Sequence, residues 1–233
     1  IQALNMVYCL AYFAFVTINS LHLSHDVGFS DEAAGLMVAM FMTGTAILQI
    51  ILGPILDRIG FRRTPLIAAT IVTVGFLGIG ASPLFFGPTS VARGFVFFFY
   101  LVAMVGNGLM FPILTAGTKR YSNKETQNAA FNFWYLSMNA GAMFLFVVDY
   151  VRRPLVDKPT VEQVAVFREA GGNAEFFWFL AALRALCWFI VYFFVKNEEQ
   201  FPEFRSTTTT EEKKKETMSI WQNLREVFGN KAF

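Results

Sequence analysis

The sequence predicts an all-α membrane protein of six transmembrane helices, and three observations carry that prediction. Hydrophobic residues make up 55% of the 233 and charged residues only 15%, where a soluble domain carries nearer a quarter. The mean hydropathy is +0.47, and phenylalanine alone occurs 28 times, so the excess apolar surface needs a lipid solvent. The apolar residues gather into six runs of about 20, the length that crosses a bilayer as a helix. An integral, multi-pass protein follows.

The first run, 3–23, starts close to Ile1, with no Met or basic region ahead of it. It is too long for a signal h-region and lacks an Ala-x-Ala-like site, so it counts as a span. The second run covers 33–56. The third, 65–83, carries Gly75, Gly78 and Gly80; the fourth, 94–117, carries Gly106, Gly108 and Pro112. Small residues allow close packing and proline allows bending, so a packing account and a hinge account both stand. The fifth run covers 129–150 and the sixth 174–196. Between them, 151–173 is the longest break. Thr160-Val-Glu-Gln163 resembles a capping box and Gly171-Gly172 a stop, which predicts a short surface helix.

Residues 1–196 therefore form a helical bundle. Residues 197–217 are charged, with Thr207 to Thr210 and Lys213 to Lys215, and read as a linker. In 218–233, Ile220, Trp221, Leu224, Val227 and Phe228 fall within about 120° of a helical wheel. That face suits an interfacial helix on a lipid leaflet or one docked on another protein. With the N-terminus placed in the cytoplasm, Arg58, Arg62, Arg63, Lys119, Arg120, Lys124 and the C-terminal segment share its side. Arg93, Arg152, Arg153, Lys158 and Arg168 remain opposite. The bias predicts N-in and C-in.

Composition also excludes function classes. A net charge of +2 gives no footing for a nucleic-acid partner. Cys9 and Cys187 lie in apolar runs, where they act as small hydrophobes. No span carries a Ser/His/Asp, Cys/His or paired-carboxylate set, and no phosphate loop occurs, so neither an enzyme nor a bound cofactor is expected. His22 and His25, beside Asp26, lack further ligands nearby; they are expected on the surface, without a metal.

The most specific motif is Gly53-Pro-Ile-Leu-Asp57-Arg58-Ile-Gly60-Phe-Arg62-Arg63, where the second run meets the cytoplasm. Gly53 would let helices approach closely and Gly60 would permit a tight reversal. Asp57 can face a positive helix end, and the arginines can pair with carboxylates or headgroups. This stretch resembles the loop between helices 2 and 3 of the major facilitator superfamily, with one departure, the additional Phe61. The resemblance implies one six-helix, major-facilitator-type half. It also implies secondary transport by rocking of two halves, with the loop as a latch whose partner is in a second six-helix half.

Two narrower resemblances are partial. Gly106-Asn-Gly108-Leu-Met-Phe-Pro112 and Tyr135-Leu-Ser-Met-Asn139-Ala-Gly141 are similar to the proton-coupled oligopeptide branch. That branch has a Glu/Arg cluster in helix 1 and a Lys before the helix-4 proline. Here the positions read Tyr8-Cys-Leu-Ala-Tyr12-Phe and Phe111. The motif spacing, with Glu199-Gln-Phe201-Pro202, is similar to the large-neutral-amino-acid facilitators.

Polar residues inside spans face a bundle interior. On the first span Asn5, Tyr8, Tyr12 and Asn19 share about 60°, and on the fourth Tyr100, Asn107, Thr115 and Thr118 share about 80°. On the fifth, Asn128, Asn132, Tyr135, Asn139 and Asp149 share about 100°. By rise per residue, Tyr12, Asn107, Asn139 and Arg184 come out near mid-membrane, the depth of transporter sites. The candidate substrate-binding residues are thus Tyr8, Tyr12, Asn107, Tyr135, Asn139 and Arg184. Helix-to-helix hydrogen bonding is the alternative role of the asparagines, and a buried structural network that of Arg184, which Asp149 sits too far along to pair directly. Neutral groups beside aromatic faces suit a small polar or zwitterionic solute such as an amino acid. The rival expectation is a structural, non-transporting subunit of a larger membrane complex.

Overall fold

The computed structural model describes residues 1–122, 125–143 and 173–195, apart from the side chains of 54–58 and 174–175. Within these, six helices follow the six runs. They are α1 (Gln2–Leu21), α2 (Asp31–Ile59), α3 (Arg63–Phe86), α4 (Ser90–Arg120), α5 (Gln127–Met143) and α6 (Asn173–Phe194). A π-helical turn, His22–Asp26, prolongs α1. All but α5 are long and apolar enough to span a membrane, and α5 is described over 17 residues. The end of the fifth run with Asp149, the expected surface helix, the linker 197–217 and the amphipathic segment 218–233 lie outside the described residues.

Helix ends follow local chemistry. The Ser30 hydroxyl accepts from Ala33 N–H at 3.3 Å, with Asp31 and Glu32 at the positive end of α2. Gly60, at φ +101°, reverses the chain between α2 and α3. The Thr89 hydroxyl caps α4 by accepting from Ala92 N–H at 3.3 Å. Lys119 and Arg120 close α4 at its negative end.

The packing has internal symmetry. Helix α2 packs on α4, and α5 packs on α1; α3 packs on α4, and α6 packs on α1; α3 and α6 pack on each other. Exchanging α1 with α4, α2 with α5 and α3 with α6 preserves these five pairings. This is the pattern of a repeated three-helix unit, as transporter folds use. Close approach at small residues fixes it. A Cβ at Gly75 would fall 2.9 Å from the Ala103 backbone, and one at Gly106 would fall 2.9 Å from Val72 N. Helices α3 and α4 therefore touch backbone to backbone, and these glycines serve packing. Gly141 does the same for α5 against Met6 and Leu10 of α1.

Phe15, Phe41, Phe76, Tyr100 and Phe177 fill one level of the interior, with Phe15 and Phe76 stacked at 4.7 Å. A second level holds Tyr8, Cys9, Met110, Ile113 and Cys187. The outer face of α2 keeps Leu36, Ile47 and Ile50 more than half exposed, an apolar surface that needs lipid or another bundle over it.

Candidate functional site

Three of the six predicted site residues meet. Asn107 on α4 accepts through Oδ1 from the Tyr8 hydroxyl on α1 and from Arg184 Nη2–H on α6, the latter at 3.3 Å. Its Nδ2 donates to Ala103 O one turn back, at 2.8 Å, which fixes the amide orientation. The Arg184 guanidinium lies 3.9 Å from the centroid of the Tyr8 ring and 5.4 Å from that of Phe76. All three polar residues are fully buried. A desolvated guanidinium over an aromatic face is worth about 2 kcal/mol, but that leaves most of its hydrogen-bonding capacity unused. Arg184 Nε and Nη1 are buried without a partner, and no carboxylate lies within ion-pair distance among the described residues.

Tyr12 stands at the margin of this cluster. It stacks on Tyr8 at 6.5 Å and meets Phe111 edge to face at 5.2 Å, and Phe111 meets Tyr8 the same way. Phe111, the residue before Pro112, is thus the third wall of an aromatic corner. Tyr135 and Asn139 do not join. Tyr135 is 60% exposed, and Asn139 Nδ2 donates within its own helix to Tyr135 O at 2.8 Å. The neighbouring stripe residue Asn5 takes the helix-bonding role, donating to Trp134 O of α5 at 2.8 Å. Asn19 and Tyr100 are buried with no side-chain hydrogen-bond partner among the described residues.

The loop after α2 divides as well. Gly60 makes the expected reversal. Gly53 corrects its expectation: a Cβ there would meet nothing within 4 Å, so no helix of the described residues approaches it. Arg62 Nη2–H donates to Tyr192 O near the end of α6 at 2.6 Å, and its guanidinium lies over the Tyr192 ring. It therefore tethers the loop to the negative end of a helix in the same bundle. Arg63 begins α3 and is exposed. The side chains of Asp57 and Arg58 lie outside the described residues. Phe61 is 3% exposed and lies beneath the Arg120 guanidinium at 5.0 Å, so the additional residue anchors the loop into the bundle.

His22 corrects the surface expectation. It is fully buried, 2.6 Å from Asp26 and against Phe177. Only the packing of α3 and α6 around it sets this, which no spacing in the sequence signals.

Residues 3–233 match the family model described as Major Facilitator Superfamily. The chain is 26% identical over 194 residues to a mouse protein named Voltage-gated purine nucleotide uniporter SLC17A9, covering 82% of this chain and 39% of that one. The rat protein of the same name is 28% identical over 136 residues, covering 58% of this chain and 29% of that one. This chain thus spans about two fifths of the length of the mouse relative. Together with the paired three-helix packing, the match over nearly the whole chain shows that it is an integral, multi-pass membrane protein belonging to the major facilitator superfamily.

Proposed function

We propose that the chain is one half of a secondary transporter for a small organic anion, moved by alternating access against a second six-helix half. The observation that carries this reading is Arg184: a buried guanidinium with two donors unused, held by Asn107 and Tyr8. An ionisable group in a membrane interior is costly and points by default to a functional site such as a solute or ion path. The planar fork suits carboxylate and phosphate oxygens in particular. Tyr12, Tyr8 and Phe111 supply the aromatic faces on which a base or another flat group can stack. The two relatives are named as purine nucleotide uniporters, which agrees with an anion carrying a planar ring. The amino-acid expectation loses ground to this, because both relatives are named for purine nucleotides.

Tyr135 and Asn139 take a second place in the proposal. They lie on the exposed side of α5, the surface that a second half would cover, and would face the solute only across that interface. The latch keeps its proposed role for Asp57 and Arg58, with Arg62 and Phe61 as its anchors within this half. The experiment is uptake of radiolabelled ATP into liposomes carrying the full natural polypeptide, with Arg184→Met as the comparison. Uptake that needs Arg184 supports the reading. Folded protein that takes up neither ATP nor a panel of small carboxylates would leave the structural-subunit reading.

A further inference from the structure

Position 107 holds an amide where a carboxylate of the same size would cancel the charge beside it. Asn107 Oδ1 has two lone pairs, and both are taken, by the Tyr8 hydroxyl and by Arg184 Nη2–H at 3.3 Å. Its Nδ2 donates to Ala103 O at 2.8 Å. Ala103 is itself held, because α3 passes so close that a Cβ at Gly75 would fall 2.9 Å from its N and Cα. The amide is thus anchored through nitrogen to a fixed piece of backbone and grips the guanidinium through oxygen. A carboxylate has no hydrogen for Ala103 O, so an amide at this position does what an acid of the same shape does not.

This grip leaves the charge of Arg184 in place. A guanidinium is always protonated, and the groups that hold this one are neutral: an amide oxygen, the Tyr8 ring and the Phe76 ring. No acidic residue occurs on α1, α3, α4 or α5 as described. The acids of α2 are Asp31 and Glu32 in its first turn and Asp57 near its far end. On α6, Glu175 stands about 13 Å before Arg184 along the axis. The level of Arg184 therefore carries one net positive charge, fully buried, with Nε and Nη1 lacking partners among the described residues. Such a centre draws an anion and repels a cation, and a neutral solute gains little from it.

We propose that Asn107 is the charge selector of the solute site: by orienting Arg184 without neutralising it, the amide keeps the site selective for anions. This rests on the transport reading above and gives Asn107 a part played through Arg184, as a positioning residue. A carboxylate at position 107 would keep an acceptor for Tyr8 and Arg184 but would complete a buried ion pair. Its second oxygen would meet Ala103 O as acceptor against acceptor and turn away from it. The site would then be neutral, with no charge left to draw a phosphate or carboxylate out of water. Selectivity is a difference of affinities, so exchanging one amide nitrogen for an oxygen alters the preferred charge of the solute while the aromatic corner keeps its shape.

The test uses the full natural polypeptide, in liposomes and in detergent. The first readout is the ratio of radiolabelled ATP uptake to adenosine uptake, two solutes that share a base and differ in charge. Asn107→Asp should lower that ratio by about a hundredfold or more. Asn107→Ser, smaller but neutral, should lower ATP uptake about tenfold and leave the ratio within about threefold of wild type. A merely structural role would move the uptake of both solutes together. The second readout is a double-mutant cycle in melting temperature. Asn107→Asp should melt near or above wild type while Arg184 is present, and about 5 °C or more below its own background once Arg184→Met removes the counter-charge. This cycle decides the matter where Asn107→Asp moves neither solute. Equal melting shifts in the two backgrounds overturn the proposal, as does a ratio for Asn107→Asp that matches the ratio for Asn107→Ser. Wild type that moves neither solute, with unequal melting shifts, overturns the transport reading and leaves the charge of the site under the control of residue 107.

Discussion

Replacing Arg184 with methionine separates a binding role from a structural one, because the two predict opposite signs of stability. Methionine keeps most of the apolar volume. What is lost is one hydrogen bond from a charged donor to Asn107, about 1.5–3 kcal/mol, and the stacking on Tyr8, about 2 kcal/mol. What is regained is the desolvation of a guanidinium with two donors unpartnered and no carboxylate in reach among the described residues, an effective cost of several kcal/mol. The terms nearly cancel, with the balance toward stabilisation. Arg184→Met should melt within about 3 °C of wild type, or above it, since about 1 kcal/mol corresponds to 2–4 °C for a chain of this size. Anion uptake should fall by a hundredfold or more. The assay pairs thermal melting in detergent with uptake into liposomes, normalised to folded protein. A loss of about 10 °C with normal uptake by the surviving folded fraction would refute the reasoning and return Arg184 to a structural network.

Other substitutions test neighbouring steps. Tyr8→Phe keeps the ring under Arg184 but removes the donor to Asn107; uptake should fall about tenfold, the worth of one hydrogen bond of about 1–1.5 kcal/mol, and unchanged kinetics would remove the hydroxyl from the site. Gly106→Ala places a methyl 2.9 Å from the backbone of α3 and should destabilise by about 1–3 kcal/mol, visible as a lower melting temperature. Gly53→Ala meets nothing among the described residues and should leave stability within about 0.5 kcal/mol of wild type; a large loss in the full polypeptide would place another helix against it. Asn139→Ala breaks only a bond within α5, so folded yield should hold while uptake drops, and unaffected uptake would take Asn139 out of the solute path.

Much was legible in the sequence because lipid imposes its own grammar. A span must be about 20 apolar residues long and helical, so each of the six runs carries a helix, and α2, α3 and α4 extend a few residues past their runs to the ends that Ser30, Gly60 and Thr89 supply. The polar stripes on α1 and α4 were legible for the same reason: helical phase is arithmetic on one strand of sequence. That arithmetic placed Tyr8 and Asn107 each on an inward face, and they do meet, 99 residues apart.

Azimuth on one helix does not say which neighbour stands opposite, and that decided the rest. Arg184 pairs with Asn107, 77 positions away on α4, because α6 packs against α1 and α3 and α3 in turn packs on α4. Tyr135 and Asn139 share a stripe on α5, yet α5 turns its Gly141 and Trp134 faces to α1 and leaves that stripe outside the cluster. By spacing alone Phe61 is an additional residue and His22 a surface histidine; the Arg120 guanidinium over Phe61, and the Phe177 ring and Ile79 carbonyl against His22, make both of them buried anchors. The sequence by itself determined the solvent, the helices and the family loop, because these depend on local length, polarity and turn chemistry. Which buried polar groups share a site was decided only by tertiary structure, because that depends on the rotation and pairing of helices far apart in the chain.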